Sequence, residues 1–203
     1  MNINKGLKHL KQVDENMGRL IAEFEKPEFK KDLNYFEALI RAIIFQQLSG
    51  KAAAAIYKRF NNLFIKNKYP SPIMVMKRSH EELRSVGLSN QKASYIHNIA
   101  NAFYTGAIPD DINTKDDKEV IECLTTIKGV GLWTAEIFLM FTLNRPDIFP
   151  VTDLGIQKGF KLFFQLDKLP RPDQMIKYAE PWRPYRTLGS WYLWRLVEGP
   201  FEW

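Results

Sequence analysis

The sequence predicts an all-α fold, and three observations carry that expectation. Apolar residues recur at helical spacing almost everywhere, as in Phe36, Leu39, Ile40, Ile43 and Ile44, while sustained period-two alternation is hard to find. Start signals precede the periodic stretches: Asn34 with Glu37 and Ser79 with Glu82 have capping-box spacing, and Ser49 stands before the alanine-rich segment KAAAAIYKRF. Glycines and prolines supply the stops, because Gly87, Gly106, the Tyr69-Pro70-Ser71-Pro72 turn and Pro170 through Pro172 all fall where a helix has to end.

Taken in chain order, the opening MNINKGLKHLKQVDENMGRL has no apolar centre of the kind a secretory leader needs. The helix through Ala38 to Phe45 runs into the turn Gln46-Gln47-Leu48-Ser49-Gly50-Lys51, after which the alanine-rich helix begins. One pattern then occurs twice. Leu83-Arg84-Ser85-Val86-Gly87-Leu88 and Leu124-Thr125-Thr126-Ile127-Lys128-Gly129-Val130-Gly131 both close a helix with an apolar residue and glycine before another helix opens, which predicts two similar hairpins.

Composition narrows the functional classes. A chain of 203 residues with 45% hydrophobic content can bury a real core as one domain or two small lobes. The single cysteine, Cys123, excludes an intramolecular disulfide framework and any protein-held iron–sulfur cluster or cysteine-based zinc site. His9, His80 and His97 lie apart with no metal-like spacing. No apolar run approaches the ~18 residues of a membrane span, so a soluble, cytoplasmic protein is expected. A formal charge of +6 favours a polyanionic partner. The 5 tryptophans and 14 phenylalanines can line a base-sized pocket or fill a core.

The segment Leu124 to Phe141, LTTIKGVGLWTAEIFLMF, is the most informative stretch and reads as helix, tight hairpin, helix. Gly129 and Gly131 are expected to take positive φ and bring the backbone close to a ligand. The second helix would then offer free N–H groups and its positive dipole end to an anion, which describes a phosphate site. Lys128 and the Thr134 hydroxyl are candidate further donors to the same phosphate. Further on, Asp153 stands immediately before Leu154-Gly155-Ile156-Gln157, where it suits a helix N-cap.

In this order, the motifs resemble the helix-hairpin-helix DNA glycosylases, the HhH-GPD superfamily, over the stretch from Phe36 through Trp194. The hairpin followed by Phe149-Pro150-Val151-Thr152-Asp153-Leu154-Gly155 is the family hallmark. Ala38 through Ser49 is similar to the family's early helix and wedge loop, and Ala179-Glu180-Pro181-Trp182-Arg183-Pro184-Tyr185-Arg186 to the C-terminal element of the alkylbase branch, 3-methyladenine DNA glycosylase II.

That resemblance implies an all-α, two-lobed helical fold with the active site in the cleft between lobes. The middle lobe would cover roughly residues 50–150, including the hairpin 124–141, and the N- and C-terminal segments would form the other. It implies an enzyme that flips a nucleotide from double-stranded DNA and hydrolyses the N-glycosidic bond of alkylated purines such as 3-methyladenine and 7-methylguanine. Asp153 would be the catalytic carboxylate facing an oxocarbenium-like transition state. Trp133, Ile137, Leu154 and Trp194 would form the base pocket, with Ile137 and Leu154 replacing tyrosines of that branch. Lys128, Gly129, Gly131 and Thr134 would hold DNA, together with Gln46, Gln47, Leu48, Ser49, Gly50 and Lys51 of the wedge loop.

Leu48 is the first candidate wedge, against the alternative of a buried helix-end leucine. Gly50 stands where some relatives carry a bulkier plug. Gln46 or Gln47 would contact the opposite strand or cap a neighbouring helix. Some relatives use a lysine nucleophile in the second hairpin helix where this chain has Trp133, so a monofunctional hydrolase is implied. No cofactor would be required, although the main-chain carbonyls of Thr125, Ile127 and Val130 would hold a structural Na+ or K+ by the same resemblance. A monomer associated with the nucleoid is expected. A non-catalytic DNA-binding protein, or a glycosylase for deaminated or oxidised bases, remains the alternative. The late Trp182 to Arg186 cluster is expected to pack the lobes together, its arginines salt-bridged or touching DNA.

Overall fold

A computed structural model describes residues 1–29, 34–48, 50–64 and 69–198. Twelve α-helices and no strand are found among the described residues, so the all-α expectation holds. The helices are α1 (Ile3–Val13), α2 (Glu15–Glu23), α3 (Tyr35–Phe45), α4 (Gly50–Asn62), α5 (Pro72–Met76) and α6 (His80–Ser85). They continue with α7 (Asn90–Tyr104), α8 (Asp117–Thr125), α9 (Leu132–Phe141), α10 (Leu154–Phe163), α11 (Pro172–Tyr178) and α12 (Arg186–Glu198). Short 3₁₀ turns occupy Ile112–Thr114 and Glu180–Trp182.

The start signals act as read. Ser79 and Glu82 form a reciprocal capping box on α6, and the Asn34 side chain accepts the Glu37 N–H at the start of α3. Ser71 accepts from the Met74 N–H with Pro72 in the first turn of α5, so the Pro-Ser-Pro turn, expected as a stop, opens a helix; α4 has already ended at Asn62. Ser49, the expected cap of α4, lies outside the described residues.

The chain divides into two compact units. One is Asp32–Phe138, so the boundary falls inside α9. Here α3, α5 and α6 pack on α7, and α4 packs on α3. The core between them is aliphatic: Leu39, Ile40, Ile43 and Ile44 of α3 and Ala93, Ile96, Ile99 and Ala100 of α7 are all at most 1% exposed. Both glycine hairpins belong to this unit, α6 to α7 through Gly87 and α8 to α9 through Gly129. The two glycines have φ of 101° and 110°, which an L side chain rarely adopts.

The other unit is Met1–Lys31 with Leu139–Trp203, and its core is aromatic. Trp182 is fully buried, with Phe149, Phe160, Phe163 and Phe164 at ring-centroid distances of 6.1, 6.2, 5.7 and 6.1 Å. Its indole N–H donates to Asp14 at 2.8 Å, while the other oxygen of Asp14 caps α2. Helices α10 and α12 cross so closely that a Cβ on Gly159 would lie 2.3 Å from the Leu193 carbonyl oxygen. The arginines of the late cluster are salt-bridged: Arg186, 9% exposed, holds Asp147 through both carboxylate oxygens at 2.7 and 3.0 Å, and Arg183 adds a contact at 2.8 Å. The buried Thr187 hydroxyl accepts the Ile148 N–H and donates to the Arg145 carbonyl, which fixes the loop leading toward α10.

Candidate active site

In the Leu139–Trp203 part of the chain, the site is built around Asp153. Asp153 N-caps α10, its Oδ1 accepting the Ile156 N–H at 2.7 Å. The same oxygen accepts the Trp194 indole N–H at 2.8 Å, so α10 and α12 together fix one carboxylate. The approach to it is orderly: the Asp153 N–H donates to the Pro150 carbonyl at 3.0 Å, and Gln157 returns a side-chain bond to the Val151 carbonyl at 2.9 Å. A half-buried carboxylate held by two donors can face a developing positive charge without reorganising.

Trp194 has a part different from the stacking wall expected of it. Its side chain is 7% exposed, its ring stacks on Phe141 at 5.9 Å, and Phe141 in turn stacks on Phe29 at 5.6 Å. With its N–H on Asp153 and its ring on Phe141, it buttresses the carboxylate instead of presenting an open face to a base. Gly155 makes this possible and was missed in the sequence. A Cβ there would sit 2.8 Å from Trp194 Cδ1 and 3.0 Å from the Asp153 oxygen. A glycine in the first turn of a helix, where it costs stability, was the available signal. Leu154, beside it, is 52% exposed and open to a ligand.

In the Asp32–Phe138 unit, the site is the second hairpin. Gly129 is required twice over, by its φ of 110° and by Tyr95, whose ring carbon Cγ would lie 2.2 Å from an added Cβ. Gly131 corrects the expectation of two positive-φ glycines: it is absent from the left-handed region, and a Cβ there would meet nothing within 4 Å. Nothing within the chain demands glycine at 131, and the space beside it is open to a ligand's backbone. Its carbonyl accepts the Ala135 N–H at 3.1 Å, which makes it the residue that opens α9. Ile127 and Val130 bury their side chains, the Val130 N–H closes on the Ile127 carbonyl at 2.9 Å, and Asn98 from α7 donates to the Lys128 carbonyl at 2.9 Å. The Lys128 side chain is exposed. A held loop, a helix start and an exposed cation together suit a phosphate.

Two further expectations are corrected in this unit. The Thr134 hydroxyl does not reach out for phosphate: Thr134 is 1% exposed and its oxygen accepts Gln46 Nε2 at 2.8 Å. Ile137 is 2% exposed, so it belongs to the core and offers no wall to a ligand, whereas Trp133 is half-buried. In the wedge loop Leu48 is 40% exposed, which excludes the buried-leucine alternative. Gln47 is exposed with φ of 56°, Gly50 and Lys51 are exposed at the start of α4, and Ser49 lies outside the described residues. Among the described residues no group of three or more His, Cys, Asp or Glu could hold a metal ion.

A helical hairpin fit for phosphate and a carboxylate fixed at a helix start together point to the class of helical proteins that handle nucleic acid. The chain belongs to the HhH-GPD superfamily of base excision DNA repair proteins, whose sequence pattern matches residues 40–184. It is 36% identical over 96% of its length to "DNA-3-methyladenine glycosylase 1" of Schizosaccharomyces pombe, covering 87% of that protein. It is 34% identical to "Alkylbase DNA glycosidase-like protein mag2" of the same yeast, over 93% of this chain and 91% of that one. Among solved structures, it superposes with a TM-score of 0.88 and 37% identity on the S. pombe 3-methyladenine DNA glycosylase (Mag1) in complex with abasic DNA, covering 94% of this chain and 95% of that one.

Proposed function

We propose that the chain is a monofunctional DNA glycosylase that releases alkylated purines, of the 3-methyladenine and 7-methylguanine type, from double-stranded DNA in base excision repair. The observation that carries this reading is the Asp153 carboxylate, held at once by the Ile156 N–H and the Trp194 indole. A target base must leave the stack at a cost of a few kcal/mol before any bond to it can be cut. An alkylated purine carries positive charge and leaves readily, so the slow element is the charge that grows on the sugar. Asp153 stabilises that charge electrostatically. Water adds to the sugar carbon and gives up a proton to solvent as the glycosidic bond breaks, and the cationic base departs neutral with the bonding electrons. Contributions of this kind are on the order of 10²–10³-fold in rate.

Trp133, half-buried in α9, is the aromatic positioned beside the hairpin for stacking on a flipped cationic base. It has no amine, so the Schiff-base route that would nick the strand is closed at this position. Lys128 and the open backbone at Gly131 grip phosphate. The carbonyls of Thr125, the last residue of α8, and of Ile127 and Val130 in the hairpin that follows are neutral oxygen donors, and the Ile127 oxygen keeps a second lone pair beyond its bond to Val130. Such a set suits Na+ or K+, which would lend positive charge at the hairpin. The protein acts as a monomer in the cytoplasm, where the nucleoid lies; among the described residues no helix is long and apolar enough to cross a membrane.

The test is release of free bases from methylated duplex DNA by the wild type and by Asp153→Asn, with strand integrity followed in the same samples. Methylpurine release from unbroken strands, falling by about 10²-fold or more in the variant, is the expected outcome. No release by the wild type from alkylated, deaminated or oxidised DNA would leave a DNA-binding protein in which Asp153 only caps a helix.

A further inference from the structure

The turn at the end of α3 is held from two sides by residues that no part of the mechanism above uses. Gln46 (φ −51°, ψ 129°) and Gln47 (φ 56°) follow the φ pattern of a type II turn, with a positive φ at the second central residue, closed by the Leu48 N–H on the Phe45 carbonyl at 3.4 Å. The second central position of such a turn favours glycine or asparagine, so a glutamine there persists only where its surroundings hold it. The surroundings do so. Lys92, two positions beyond the start of α7, donates its ammonium to the carbonyls of Ile44 and Gln46 at 2.8 and 2.7 Å. A cation there lies at the negative end of α3 and satisfies carbonyls that the helix leaves open. On the other side, the Gln46 side chain donates to the buried hydroxyl of Thr134, in the first turn of α9. Burial lowers the affinity of Lys92 for its proton, by desolvation of the ammonium.

We propose that Lys92 and Thr134 are positioning residues that hold the Phe45–Leu48 turn as a rigid wedge, so that the exposed Leu48 enters the gap left by an extruded base. Each clamp comes from the helix that follows one of the two glycine hairpins, α7 after Gly87 and α9 after Gly129. The helix that opens at the phosphate-gripping hairpin thus also holds the wedge, and gripping the backbone and filling the stack become one mechanical unit. Only the consequence for base extrusion rests on the glycosylase reading. The clamp itself is a property of the free protein.

Lys92→Met and Thr134→Val each remove a donor or acceptor at nearly constant size, and Thr134→Ser keeps the hydroxyl. Amide exchange at Gln46 and Leu48, whose N–H groups bond the Ala42 and Phe45 carbonyls, reads the clamp directly in the free protein. Fluorescence of 2-aminopurine next to an abasic analogue reads wedge insertion in DNA. Excision is compared on a fully paired methylated duplex and on one with the methylated base opposite an abasic site, where little stacking remains to be overcome. The expected result is exchange faster by about tenfold or more in Lys92→Met and Thr134→Val, since hydrogen bonds from a charged or buried group are at stake. Reduced 2-aminopurine signal should accompany a similar loss of excision on the paired duplex, a much smaller loss on the gapped one, and recovery in Thr134→Ser. Unchanged exchange, or equal loss on the two duplexes, would overturn the proposal. A wild type that releases no base would sink the glycosylase reading, while exchange and fluorescence would still decide for or against the clamp.

Discussion

One oxygen of Asp153 accepts two N–H donors, from Ile156 and Trp194, and this double use separates two jobs that a single residue would otherwise confuse. The bond to Ile156 is a helix cap made within α10 and does not involve residue 194. The bond from Trp194 is the one that can be removed without touching the cap. Trp194→Phe keeps an aromatic ring against Phe141 and deletes the indole N–H together with part of the ring volume. A hydrogen bond to a charged acceptor contributes ~1.5–3 kcal/mol, so the single-turnover excision rate is expected to fall by about tenfold or more as the carboxylate loses a constraint. Affinity for undamaged DNA should stay as it is. An excision rate equal to the wild type's would show that Asp153 needs no help from α12. Gly155→Ala is a poorer probe, because its Cβ would displace Trp194 and Asp153 together.

At the scale of elements, the hairpin between α8 and α9 uses its two glycines for different reasons, and that difference can be measured. Gly129→Ala forces a positive φ onto an L residue and drives a Cβ into Tyr95, a combination that costs ~1–3 kcal/mol or more and should lower the thermal midpoint by several degrees. Gly131→Ala meets open space at an ordinary φ, and its cost is that of a poorer helix start, ~1 kcal/mol or less. DNA affinity should show the reverse bias, with Gly131→Ala binding worse than its stability alone explains. Equal thermal midpoints, or normal DNA binding by Gly131→Ala, would contradict this division. The same elements show what a sequence can disclose. Caps such as Ser79 with Glu82, and the repeated helix–glycine–helix pattern, are encoded within a few neighbouring residues, so they were legible. The parts that escaped are tertiary. Thr134 looks like a donor to phosphate until the fold buries it and Gln46, distant in the chain, donates to its oxygen, and Trp194 looks like a stacking wall until Phe141 covers it. Nothing near Lys92 in sequence announces the carbonyls of Ile44 and Gln46 that it serves.

For the whole molecule, a net charge of +6 states only that a polyanion is welcome; which cations meet it depends on how many are already spent internally. Arg186 and Arg183 are committed to Asp147, and Lys92 to the end of α3, so none of these three should count in a DNA footprint. Lys128 and Lys51 are exposed at the hairpin and at the start of α4, and these are available to phosphate. Salt dependence separates the two groups, because each phosphate neutralised contributes about 0.9 to the slope of log affinity against log salt on duplex DNA. Anisotropy titrations over a range of salt should therefore show Lys128→Ala lowering the slope by about one phosphate's worth, equally for damaged and undamaged duplexes. Arg183→Ala should leave the slope unchanged even if it lowers stability by loosening the loop at Asp147. A slope altered by Arg183→Ala and untouched by Lys128→Ala would move the footprint off the hairpin. The open space beside Gly131 would then have no phosphate to fill it.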